Sequence, residues 1–382
     1  AYIMSNNSLY YIYIDTKIKG AFEQLIRYFQ SQVFNNKDCI SVFCKYYKEI
    51  EHLAVEVFNK HNITFKFIKK NSDLSFIKGK IVFYLFNAQS NCRVVANRDL
   101  IHVFVTHGES HKLASVKPII RIYDYVITSG DVGVDRYLKS GIFTQYDINN
   151  GKVLKLGDTF IGSNIFKYES NSHSLVYAPT WEGGVPEENY CSISMSIAKN
   201  IDKFCKKNNI KKIFIQPHPN LGHRDAKYRY YLNECIDFFL RSNLTVFLVE
   251  DGFVRQYYYF VFWKGRKKKV ENIGVSFAIT DISAMEVQFH SRRIPCSVVL
   301  KENKAERIHI PKRMLPFYKN ILFDKVVCNS SIPSCPNDII DYMISYSLPT
   351  LKHKTYSERI QWLCNYVYED KKIKTKLLES IY

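Results

Sequence analysis

The feature that most constrains the fold is a series of short, almost wholly apolar runs that stop abruptly at polar residues. YYIYI (10–14), ISVF (40–43), FKFI (65–68), IVFYLF (81–86) and IHVFV (101–105) are the first five. Runs without polar alternation read as strands covered on both faces. Between two of them, KEIEHLAVEVFNKH places Ile50, Leu53, Ala54, Val57 and Phe58 on one helical stripe. Strand–helix–strand alternation predicts a parallel sheet with helices on both sides. YDYVITSGDVGVDRYLKSG repeats the unit, with a strand to Ser129 and a helix ending near Gly141.

A second series begins near residue 174. SLVYAP, IKKIFI, LTVFLV, GVSFAIT and IPCSVVL read as strands. The helices between them are CSISMSIAKNIDKFCKKN, with Ile193, Ile197, Ile201 and Phe204 on one stripe, then KYRYYLNECIDFFLR and AMEVQFHS. The polar, Ser- and Asn-rich stretch 155–174 reads as the boundary. The expected division is a first α/β domain over 1–165, a second over 170–350, and helices over 351–382 that pack back on the first.

A chain of 382 residues, 46% hydrophobic, has material for more than one core. No run of about twenty apolar residues occurs, so no membrane-spanning helix is expected. AYIMSNNSLYYIYI lacks a basic lead into a plain apolar run, so no signal peptide is expected. None of the ten cysteines forms a CxxC pair. Structural zinc is therefore not implied, and reduced, buried thiols in a cytoplasmic protein are expected.

The formal net charge of +18 favours polyanionic partners. It is concentrated in KGRKKK (264–269) and KKIKTK (371–376), each a solvated basic face by default. The first follows YYYFVFW (257–263), which reads either as a buried strand before a turn or as aromatics at a membrane interface. Charge alone also suggests nucleic acid, but it gives no reason for histidines at successive strand ends.

In an open parallel sheet, ligands bind beyond the C-terminal strand ends. That rule selects His107, Ser129, Thr180 and Trp181, His218, and Asp281 to Ser283. TDIS (280–283) ends a strand and opens a helix, so it is either a helix cap or an anion site, both using the same backbone donors. In QPHP, two prolines stiffen the backbone around His218, and His223, Arg224 and Lys227 follow. Lys112 stands five residues after His107. GxSxG, P-loop, HExxH and DxD-type acidic patterns are missing from the sequence.

Four of these stretches, VTHGESHK, YAPTWEGG, QPHP and ITDISAM, resemble in order and spacing the motifs of the CDP-glycerol glycerophosphotransferase family, the teichoic-acid and capsule polymerases. The resemblance covers roughly residues 80–300. It implies a GT-B fold, in which two Rossmann-like parallel-sheet domains face a central cleft. It also implies transfer of an alcohol phosphate from a CDP-activated donor to a hydroxyl of a cell-surface polymer, with CMP released. The related alternative is a nucleotide-sugar donor with sugar-phosphate or glycosyl transfer. By this resemblance His107 is the general base and His218 contacts the donor diphosphate. Gly108, Lys112, Ser129, Thr180, Trp181 and Arg224 would bind donor or substrate, as would Thr280, Asp281, Ser283 and Glu286. The chain departs from the family at Ala284, in place of a second serine, and at Glu182, where a basic residue often stands. Glu109, Ser110 and His111 are further departures. No tightly bound cofactor or metal is implied, a divalent cation such as Mg2+ being the one candidate. The partners expected are a nucleotide-activated donor, a polyanionic glycan acceptor and an anionic membrane surface. The expected location is cytoplasmic, peripheral on the inner face of a bacterial membrane.

Overall fold

The computed structural model describes residues 8–35, 41–106, 109–259, 264–300, 309–314, 337–348 and 354–382. The chain forms two units. The first comprises Ala1–Gly108, Lys117–Gly162 and Leu348–Tyr382, and the second comprises Glu109–Val116 and Ser163–Ser347.

In the first unit, β1 (Tyr10–Ile14), β2 (Ser41–Lys45), β3 (Phe65–Ile68), β4 (Ile81–Tyr84), β5 (Ile101–Phe104), β6 (Tyr125–Thr128) and β7 (Val153–Lys155) make one sheet in the order 3-2-1-4-5-6-7. Every neighbouring pair is parallel. The order reverses beside β1, as in a doubly wound Rossmann sheet. Helices α1 (Lys19–Gln30) and α2 (Glu51–Lys60) cover one face, with Phe22, Leu25, Ala54 and Phe58 buried against Ile12, Val42 and Phe83.

The last helix, Tyr356–Glu379, returns to this unit as the sequence pattern implies. A capping box starts it: Thr355 Oγ1 accepts from the Glu358 amide, and the Glu358 carboxylate accepts from the Thr355 amide. Ile360, Leu363, Cys364 and Val367 are buried in the same core. Each fully buried aliphatic side chain contributes about 1.5–3 kcal/mol. Tyr368 Oη donates to the Leu9 carbonyl at 2.8 Å and accepts from the Ile81 amide at 3.2 Å, which pins the helix across strands β1 and β4.

In the second unit, β8 (Phe166–Tyr168) pairs with β14 (Ile273–Val275) in a small parallel sheet. The main sheet contains β9 (Ser174–Ala178), β10 (Lys212–Ile215), β11 (Thr245–Glu250), β12 (Phe253–Tyr257), β13 (Lys268–Lys269), β15 (Phe277–Asp281) and β16 (Cys296–Val299), in the order 13-12-11-10-9-15-16. Its helices, numbered after α3 (Cys92–Val95), α4 (Asp131–Lys139) and α5 (Gln145–Asn149) of the first unit, are α6 (Met195–Lys207), α7 (Lys227–Arg241) and α8 (Met285–Ser291). The fold is α/β, with two Rossmann-like units and a returning last helix, which is the GT-B composition.

Four sequence expectations need correction. The second sheet is mixed, because β12 and β13 run antiparallel along one edge. YYYFVFW is not one buried strand: β12 ends at Tyr257, Tyr258 and Tyr259 are exposed, and 260–263 lie outside the described residues. Ile193 precedes α6, because Ser194 caps that helix by accepting from the Ile197 amide at 3.2 Å. Ile193 still joins the core, which is why the periodicity ran on through it. GVSFAIT divides into β14 and β15, which belong to different sheets.

Candidate functional site

The second sheet changes direction between β9 and β15, where Ala178 lies opposite Thr280. Beyond this switch point the chain places PTWEGG from one strand and DIS from the other. Asp281, the last residue of β15, is fully buried. Its Oδ2 accepts from the amides of Thr180 at 2.8 Å and Ser192 at 3.1 Å. Burial pushes its carboxyl up to about 6, against the pull of Ser192, the Thr180 amide and Lys112.

Lys112 reaches the same place from the segment 109–116. Its Nζ donates to Thr180 Oγ1 at 2.8 Å and lies 5.7 Å from the Tyr190 ring centroid. Burial holds this ammonium down at about 8, with Asp281 opposing. Thr280 Oγ1 donates to the Ala178 carbonyl at 2.9 Å and lies 3.2 Å from Ser283 Oγ, which accepts from the Met285 amide at 3.2 Å. Ser283 therefore ties the turn into α8, a helix of two turns. Glu286 is buried on that helix.

His218 stands on the loop after β10. Its backbone amide donates to the Pro179 carbonyl at 3.0 Å, and its Nδ1 accepts from the Asn220 amide at 3.0 Å. An Nδ1 that accepts leaves the proton of the neutral ring on Nε2. Trp181 stacks on the imidazole at 5.9 Å between centroids. Together, the two prolines, the Asn220 amide and the indole fix the ring.

Arg224 and Glu182 lock the two loops together. Arg224 Nε donates to the Gly183 carbonyl at 2.9 Å and a terminal nitrogen donates to the Glu182 carbonyl at 3.0 Å. The buried Glu182 carboxylate accepts from the amides of Gly222, Arg224 and Asp225, each at 2.9 Å. Burial pushes this carboxyl up, but the amides outweigh it and hold it below its usual range. Gly183 has φ +75°, and a Cβ there would meet the Glu188 carbonyl oxygen at 2.7 Å, so the turn after Glu182 requires glycine.

Lys112, Thr180, Trp181, His218, Thr280, Asp281 and Ser283 are thus gathered at one switch point. Arg224 stands behind them as a loop clamp. Ser129 belongs to the first unit, buried after β6, where its carbonyl accepts from the Gly157 amide at 2.9 Å. His107 and Gly108 lie outside the described residues. Sequence reasoning missed Glu182 as an anchor, and also Tyr190 and Ser192. The signal available for Glu182 was an acid directly before paired glycines. Ser192 was read as part of a helix. Among the described residues no cluster of three metal-ligating side chains assembles.

No family model matches the chain, and no curated protein does. Similar solved structures include MurG of Acinetobacter baumannii, at 8% identity over 94% of this chain and 99% of that one, with a TM-score of 0.47. S. aureus MnaA in a structure with UDP is 11% identical over 94% of this chain and 96% of that one, with a TM-score of 0.47. UDP-GlcNAc 2-epimerase of Neisseria meningitidis bound to UDP-GlcNAc is 13% identical over 97% and 99%, with a TM-score of 0.44. This likeness is one of fold.

Proposed function

We propose that the protein is a transferase that holds a nucleotide-activated donor at the switch point of its second unit and passes the activated group to a hydroxyl of a cell-surface polymer. The observation that carries this reading is the convergence of the Lys112 ammonium, the oriented His218 and the Thr280–Ser283 turn on one strand-end site. Diphosphates are recognised by cations, N–H donors and hydroxyls, and all three are supplied there. In this reading Lys112 and His218 Nε2–H contact the diphosphate. Asp281 positions Lys112 and the Thr180 and Ser192 amides. Trp181 keeps the imidazole in register. His107 takes the role the motif resemblance gives it, removing the proton of the attacking hydroxyl. Phosphoryl and glycosyl transfer both need positioning and charge stabilisation, which such a site provides.

Two groups are candidates for transfer. The motif resemblance favours glycerol phosphate from CDP-glycerol, with CMP leaving. A sugar or sugar phosphate from a nucleotide sugar is the second reading, in keeping with the solved structures that carry UDP or UDP-GlcNAc. A divalent cation such as Mg2+ would enter with the donor. The acceptor is a polyanionic glycan made at the inner face of a bacterial membrane, to which a chain of net charge +18 is drawn. The test is incubation with a panel of CDP-alcohols and nucleotide sugars, with the released nucleotide identified. CMP from a CDP-alcohol supports the first reading, and a nucleoside diphosphate supports glycosyl transfer. Turnover of no donor in the panel defeats the proposal.

A further inference from the structure

The last helix changes surroundings along its length. Its first half is buried in the core through Ile360, Leu363, Cys364 and Val367. Contact with the unit ends at Asp370, which accepts from Tyr125 Oη at 2.5 Å, and at Lys374, which donates to the Asn150 carbonyl at 3.0 Å. From Lys372 onward every residue is exposed. The apolar spacing nevertheless continues. Ile373, Leu377 and Ile381 recur every fourth residue and are 64%, 62% and 67% exposed, with Leu378 beside them at 58%. Lys371, Lys372, Lys374 and Lys376 flank this stripe, and Glu379 is the one acid after Asp370. Lys372 also pairs with Glu369 at 3.0 Å and Lys374 with Asp370 at 2.7 Å.

We infer that Lys371–Tyr382 is a docking element for an anionic lipid surface. It would lie in the headgroup layer with Ile373, Leu377, Leu378 and Ile381 at the acyl boundary and Lys371, Lys372 and Lys376 at lipid phosphates. The inference rests on the membrane-face reading above and names the element that does the docking. Charge selects the occupant. A second copy of this helix laid along the stripe would bring two lysine rows together, which is unfavourable, whereas anionic headgroups neutralise them. No described helix is long and apolar enough to cross a membrane, so the contact is one of lying on the surface.

The test is co-sedimentation of the full chain with phosphatidylcholine vesicles, with and without phosphatidylglycerol. The wild type should sediment only with the anionic vesicles, and less at high salt. Leu377→Ser/Leu378→Ser/Ile381→Ser should weaken that binding at least about tenfold with circular dichroism unchanged. Lys371→Glu/Lys376→Glu should weaken it too, because like charge now faces the lipid. If the wild type ignores anionic vesicles, the membrane-face reading itself falls. If the wild type binds and the triple-serine variant binds equally, only the helix assignment falls. A concentration-dependent dimer that the triple-serine variant abolishes, with vesicle binding intact, would give the stripe to a second copy and overturn the inference.

Discussion

Both sheets have a parallel core whose strand order reverses beside its first strand, and each has an aspartate at that switch point, but the two aspartates are held differently. Asp15 follows β1, and its carboxylate accepts from Tyr13 Oη at 3.0 Å and Tyr47 Oη at 2.7 Å. Burial, and then the Asp15 charge, push the Tyr13 hydroxyl well above its ordinary range, so that proton stays in place. Asp281 accepts amides instead and faces an ammonium whose proton burial has loosened to about 8. The first switch point is closed by hydroxyls that do not titrate. The second keeps a buried charge beside a cation. A fold offers the same crossover twice, and side-chain chemistry decides which one is a site.

The comparison can be broken, and the largest effect expected is on catalysis. If donor binding resides at the second switch point and His107 supplies the base, His107→Ala should lower kcat by roughly 10²–10⁴-fold. Donor affinity, read by calorimetry, should stay near wild type. A variant with near-normal turnover removes the base assignment. Next in size is stability. Asp281→Ala strands two buried amides and deprives Lys112 of its counter-charge, a loss of about 3–5 kcal/mol by denaturant unfolding. Asp15→Ala strands two hydroxyls, one of them half-buried, at a cost of about 1–3 kcal/mol. The reverse ranking would mean that the first switch point is the more constrained.

Most of the fold was legible because doubly covered strands carry an apolar signal that burial enforces. YYIYI and KYRYYLNECIDFFLR were read to the residue. The misreadings fall where a polar group competes with periodicity. Ser194 capped a helix whose stripe continued upstream, and an edge hairpin at β12 broke an aromatic run. Of the candidate site, the strand-end residues were legible because parallel sheets place ligands there. The Glu182 clamp was not, because three amides from residues forty positions away make it, and that pairing is tertiary.

Lys112→Met should come third. Removing the ammonium and its bond to Thr180 should weaken donor binding roughly 10- to 100-fold, the range for a hydrogen bond to a charged group. Asp15→Asn, at the other switch point, should leave donor affinity unchanged. Equal losses in the two variants would erase the distinction between the two sites.

A separate effect is the pH dependence of stability. Asp281 has its carboxyl raised from 3.8 to about 6 by burial, so the folded state binds a proton that the unfolded chain has released. Folding then gains from that proton below about 4 and loses the gain as pH rises to about 6, with no further change above. Carboxylates held low, such as Glu182, move the other way as pH rises, so the wild-type curve alone is a sum of opposing slopes. The difference between wild type and Asp281→Asn isolates one group. Between pH 4 and 6 the wild type should lose thermal stability relative to Asp281→Asn, and above pH 6 the gap should be constant. A gap that does not change with pH would mean that Asp281 keeps an ordinary acidity despite its burial. Lys112 and the two amides would then hold the charge as tightly as water does, and the second switch point would be as closed as the first.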